Sequence, residues 1–200
     1  MNEIANIKSS ETVLNNLPYI PKVIILSLII YFSVIIIGTA LNYLEKAEIK
    51  LLGSIIGTRA SNAIVQRLTF VGTITHECAH AIVALITGCK IVEFKPLILF
   101  DKRNNGELGH VKVAFKPGAI GNAKMSLVSC APVFVNLALA WLVYTKMFIG
   151  GSIAMKIIAV YLIISFINHA SMSPVDTKNY LRGAVVVLIL IAIVVGIIAL

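Results

Sequence analysis

Charge is what this chain has least of. Of its 200 residues only 13% are Asp, Glu, Lys or Arg, against roughly a quarter in a soluble domain, and 58% are apolar. Three cysteines are too few for a disulfide scaffold, so no disulfide is expected and each is read as a small hydrophobe. The long apolar runs exclude disorder, and there is no collagen-like period, repeat or low-complexity tract. The composition is that of a membrane protein, and the length suits one domain over 1–200. Carboxylates are scarcest, at nine. Burying one in hydrocarbon costs several kcal/mol, so an Asp or Glu inside an apolar stretch needs a reason to be there.

A span needs about 20 residues at a rise of about 1.5 Å each. Five stretches meet or approach that length: 23–44, 68–89, 125–145, 157–175 and about 174–200. The expected fold is therefore an all-α polytopic membrane protein of about five transmembrane helices. The first stretch follows a polar tail, 1–22, begins after Pro21, and is too long for a signal-peptide core, so it is expected to stay in the protein. Between spans, 45–67 mixes Glu45, Lys46, Glu48, Lys50, Arg59 and Arg67 with apolar residues, as an interfacial amphipathic segment does. Residues 90–118 read as a small β-hairpin inserted after the second span. There Val111, Val113 and Phe115 alternate with Lys112 and Lys116, behind the turn signal Asn105-Gly106. Ser173-Pro174 with Asp176 reads as the break that ends the fourth helix and opens the fifth.

If the spans alternate, eleven Lys and Arg fall on the side of the N-terminus and six on the other. The positive-inside rule then places the N-terminus and the hairpin in the cytosol of a multi-pass cell-membrane protein. That also accounts for the net charge of +8 without nucleic acid, for which no basic helix or aromatic-interleaved stripe is present.

One carboxylate, Glu77, lies near the middle of a span, in His76-Glu77-Cys78-Ala79-His80. On a helix, residues four apart lie on one face about 6 Å apart along the axis, so His76 and His80 can ligate one metal ion. Glu77 beside them is placed to act as general base on a metal-bound water and to return the proton to a leaving amine. Imidazoles with a carboxylate favour zinc, one ion. Chance would give this motif about three times in a thousand such sequences, and the bland alternative is three polar residues hydrogen-bonding between helices. A catalytic zinc needs a third protein ligand. Asp176 is the candidate, although Ser173-x-x-Asp176 is also a capping box and the same oxygen atoms cannot serve both. His169 is the runner-up; His110 reads as a strand residue, Cys78 as packing, and Asn136 as a buried amide or a brace for the site.

These residues resemble the site-two protease family of intramembrane zinc metalloproteases. The resemblance lies in Thr75-His76-Glu77-Cys78-Ala79-His80-Ala81 with Gly88 closing the helix, then a hairpin, a further span, and Pro174-Val175-Asp176 after Asn168, and covers most of 68–182. It implies zinc held by His76, His80 and Asp176 inside the membrane, with water reaching it from the cytosolic side. It further implies a membrane-protein or peptide substrate, partly unwound and paired with an edge strand, here within 90–116. Asp176 is followed by Thr177, where the family usually has glycine, and the asparagine lies eight residues upstream, a divergent and compact pattern. Two other readings stand beside it. One is a non-catalytic zinc-binding membrane adaptor or metal carrier. The other is a metalloprotease of the lineage with a late glutamate ligand, against which the chain offers no Glu after Glu107.

Overall fold

The computed structural model describes residues 18–98 and 108–198. The expected turn at Asn105-Gly106 and most of the 1–22 tail lie outside them. The described chain is mostly helical with one two-stranded sheet. Helix α1 is Tyr19–Ile56, α2 Thr58–Leu68 and α3 Phe70–Ile86; strands β1, Lys90–Lys95, and β2, His110–Ala114, follow. Helix α4, Ala119–Val143, runs on through a π-helical turn at Tyr144–Phe148, and α5 is Ile153–Asn168, α6 Pro174–Arg182 and α7 Ala184–Ile198. Helix α1 and α4 with its π turn are each long and apolar enough to cross a bilayer, and there are up to four such spans if the bent pairs α2–α3 and α6–α7 each count as one.

Two expectations are corrected. The 45–67 segment is not one unit: α1 continues through Glu45 and Glu48 to Ile56, and only then does α2 begin. Glu45 and Lys46 end the apolar run, but they are good helix formers and do not end the helix. The second correction concerns 157–175 and 174–200, expected as antiparallel spans. Along α5, Tyr161 Oη donates to the Leu68 carbonyl, Ser165 Oγ to that of Thr69, and His169 Nε2 lies 3.3 Å from Thr73 Oγ1, so α5 runs parallel to α2–α3. The same direction continues beyond the break. Met172 N donates to the Gly38 carbonyl, Tyr180 stacks on Tyr31 at 4.8 Å, and Tyr19 Oη donates to the Gly196 carbonyl at 2.6 Å, a steady descent along α1. Ser173-Pro174 restarts a helix without turning the chain back. The bundle is thus passed four times, and its two described ends meet at one end.

Small residues let the helices approach. A Cβ on Gly72 would run into the Ser165 carbonyl, and Ser165 Oγ accepts from Gly72 N at 2.8 Å, which clamps α3 to α5. Tyr31, Val34, Cys130, Val133, Met172, Tyr180 and Val187 form the main apolar core where α1, α4, α6 and α7 meet. The three cysteines are free thiols.

The hairpin folds back along α3. Its open end, Lys90↔Ala114, starts just below Ile86, whereas a Cβ on Gly109, at its closed end, would lie 2.9 Å from Glu77 Cγ. The strands pair antiparallel with a bulge at Val92 between the Ile91↔Val113 and Glu93↔Lys112 pairs. Ile91, Val113 and Phe115 pack on Ala84, Cys89 and Val128. Beyond the bulge Glu93 gathers Lys112 Nζ at 2.5 Å, Lys95 Nζ at 2.7 Å and His110 Nε2 at 3.3 Å. Those donors, Lys112 first, hold its carboxyl down at about 2, so Glu93 stays ionised at any physiological pH and needs water or polar neighbours.

Candidate metal centre

Helix α3 delivers both histidines to the bundle interior. His80 is buried and His76 half-buried, as the spacing of four requires. Their Nε2 atoms are 3.1 Å apart, and His80 Nε2 is 3.6 Å from Asp176 Oδ1. One ligand atom from each of the three residues lies within 4.8 Å of the others, an arrangement that can hold a metal ion. Tetrahedral bonds of about 2.05 Å put neighbouring ligand atoms about 3.3 Å apart, close to the separations of 3.1 and 3.6 Å.

The hydrogen bonds on the far side of each ring decide what the 3.1 Å contact means. His76 Nδ1 lies 2.7 Å from the His169 carbonyl oxygen, and His80 Nδ1 lies 2.8 Å from that of Val128. A carbonyl only accepts, so both Nδ1 atoms carry a proton, and in the neutral rings, the form that binds metal, both Nε2 atoms present lone pairs. Two lone pairs and a carboxylate oxygen facing one another repel unless a cation lies between them. Carbonyl-oriented imidazoles of this kind are the usual outer shell of a histidine metal site.

Both carbonyls are ones that the helices do not use. Val128 lies four residues before Pro132, which has no N–H to give it. His169 caps the C-terminus of α5, where carbonyls lack intrahelical partners. The His169 carbonyl also accepts from Asn136 Nδ2 at 2.6 Å, and Asn136 Oδ1 accepts from Thr75 Oγ1 at 2.6 Å. Asn136, at 0% exposure, therefore braces the group that orients His76. In the sequence Asn136 and Pro132 both read as residues tolerated in a span whose neighbours satisfy them; that the carbonyl freed by Pro132 orients His80 is visible only in the packed structure.

Pro132→Ala gives a prediction with two opposite signs. Restoring an N–H lets Val128 close its helical bond, which removes a proline cost of about 3 kcal/mol, so thermal stability without metal should rise or hold. Losing the His80 partner should weaken metal binding about tenfold to hundredfold. Metal titration and a melting curve on the same sample check both, and unchanged affinity would detach Val128 from the site.

Asp176 is shared by two roles through different oxygens. Oδ2 accepts from Ser173 N at 3.2 Å and from Ser173 Oγ at 2.6 Å, while Ser173 Oγ accepts from Asp176 N at 3.1 Å. That is the reciprocal capping box, and it leaves Oδ1 pointing at His80. Docking of α6 fixes the height: Ser126 Oγ on α4 donates to the Tyr180 carbonyl at 2.7 Å and accepts from Gly183 N at 3.0 Å. The His169 ring turns elsewhere, its Nε2 2.9 Å from Thr69 Oγ1, so this residue meets the centre through its carbonyl. His110 lies in the hairpin network with Glu93, and Cys78 is not among the three grouped residues.

Glu77 is 9% exposed and lines a cavity of about 240 Å³ together with His76, Thr73, Glu45, Ser171 and Gly109. The cavity thus touches one imidazole and the glutamate at once, and its walls are mostly polar. A peptide carbonyl and a water molecule can both be hydrogen-bonded in such a space. Comparison of the chain with family models, with curated proteins and with solved structures returns no match.

Proposed function

We propose that the protein is an intramembrane zinc metalloprotease, similar in chemistry to the site-two proteases, that hydrolyses a peptide bond in or near the membrane segment of a substrate protein. The observation that carries this reading is the convergence of two imidazole Nε2 atoms and Asp176 Oδ1 beside a polar cavity that Glu77 lines. His76, His80 and Asp176 would hold the ion; bound there, zinc supplies Lewis acidity to the scissile carbonyl and lowers the pKa of water beside it. Glu77 takes a proton from the attacking water as its oxygen bonds to the carbonyl carbon. It returns that proton to the amide nitrogen as the C–N bond breaks, so the products are a carboxylic acid and an amine. Asn136 and the two carbonyls keep the rings from turning, which removes reorganisation from the reacting step. A substrate segment in the cavity lies against Leu108 and Gly109 at the closed end of the hairpin, where the strands offer backbone groups to an extended chain.

The protein in this reading lies in the cell membrane with the N-terminus and the open end of the hairpin cytosolic. Without the reversal Lys178 and Arg182 lie along the last pass and not beyond its end, which leaves nine basic residues to six with the excess on the same side. The α7 end then joins the cytosolic face. The test is turnover of a transmembrane peptide by the purified chain in detergent: cleavage should occur, stop with a zinc chelator and return with zinc. Cleavage that persists in the chelator would reject the metal mechanism.

A further inference from the structure

A second cavity, among the described residues, is lined by none of the residues of the metal centre. It measures about 970 Å³ and lies where α3 has ended and α4 begins, lined by Gly88 to Lys90, Ala114 to Gly121 and Lys124. Its walls are apolar, with Phe115, Pro117 and Ile120 among them; Ile120 is 72% exposed. Three cations border it, Lys90, Lys116 and Lys124, and among the described residues no Asp or Glu does. Lys124 reaches across its floor, with Nζ 3.7 Å from where a Cβ on Gly88 would stand. Gly118 caps α4 with no side-chain acceptor, so the first-turn N–H groups of a 25-residue helix add partial positive charge at the same rim.

We infer that this cavity is a binding site for an anionic phospholipid, with the phosphate between Lys90, Lys116 and Lys124 and the upper acyl chain against Phe115 and Ile120. Charge complementarity carries the inference. Three lysines without an acid around an apolar hollow leave a charge that the cavity itself does not neutralise, and a phosphodiester attached to hydrocarbon satisfies both halves of the lining. A soluble anion would leave the apolar wall wet, and a zwitterionic headgroup would bring its own cation to the lysines. The location agrees, for the cavity is at the bundle end that also holds Tyr19, Lys22 and Gly196, one end of the apolar spans.

The test is a titration of the full chain, purified in neutral detergent and stripped of lipid, with phosphatidylglycerol, phosphatidylcholine or inorganic phosphate, read by native mass spectrometry. Phosphatidylglycerol should be retained at least tenfold better than phosphatidylcholine. Each lysine replaced by glutamine should weaken it about fivefold, and all three together about a hundredfold. Lys146→Gln with Lys156→Gln, at the opposite end of α4 and α5, should change nothing. Should the triple variant fail to fold, Ile120→Asn alters the exposed apolar wall without adding charge and should weaken retention about tenfold. Equal retention of the two lipids, equal loss in the Lys146/Lys156 control, or displacement of the lipid by phosphate at matching concentration would each overturn the assignment.

Discussion

Glu77→Gln should retain the metal and lose the chemistry. Glutamine has the same shape and hydrogen-bonds in the same cavity, but its amide cannot take a proton, so general-base catalysis, worth about 10²–10⁴-fold, disappears. Cleavage of a transmembrane peptide should fall by about 10³-fold while metal content per chain stays that of the wild type. The two readouts separate hypotheses that one alone would confuse. An adaptor or carrier has no use for a base, and in that case the variant would match the wild type in every assay. A variant that cuts at the wild-type rate removes Glu77 from the mechanism. Loss of both metal and cleavage would instead make Glu77 a structural member of the centre.

Asp176→Ala is the second large effect, and it must be dissected because the carboxylate serves two masters. Removing it takes Oδ1 from beside His80 Nε2 and Oδ2 from the capping box. Loss of the cap costs about 1 kcal/mol of helix stability. Loss of a ligand should reduce metal affinity by more than the tenfold to hundredfold that an outer-shell partner is worth. Ser173→Ala isolates the first effect, since it removes the hydroxyl at 2.6 Å from Oδ2 and leaves Oδ1 in place. The expected order of metal content is wild type, then Ser173→Ala slightly below, then Asp176→Ala near zero. His169→Ala should keep its metal, because that ring faces Thr69 and only the backbone carbonyl touches the site. Metal lost from His169→Ala and kept in Asp176→Ala would transfer the third position to the imidazole.

What the sequence by itself determined is the local part. A helix repeats every 3.6 residues, so His76, Glu77 and His80 had their relative placement written in their numbering. Ser173-Pro174 with Asp176 likewise carried its own helix start, and 110–114 its alternation. The span count was less legible, because charge and proline mark where an apolar run or a helix stops and say nothing of the direction in which the next one leaves. Glu45 does not end α1, and Ser173 does not reverse the chain.

What only the tertiary structure decided is everything that joins distant segments. Asp176 comes to His80 because Tyr180 stacks on Tyr31 and Ser126 ties α6 to α4, contacts more than fifty residues apart in the chain. The runner-up, His169, serves through its carbonyl because the end of a helix leaves carbonyls free, and which ring it meets depends on how α5 lies along α3. The hairpin, readable as a polar cap, folds back to Glu77 because its apolar face packs on Ala84 and Val128. Scarcity of charge pointed to the two carboxylates; only packing, which is non-local and insensitive to sequence order, shows how they meet the two histidines.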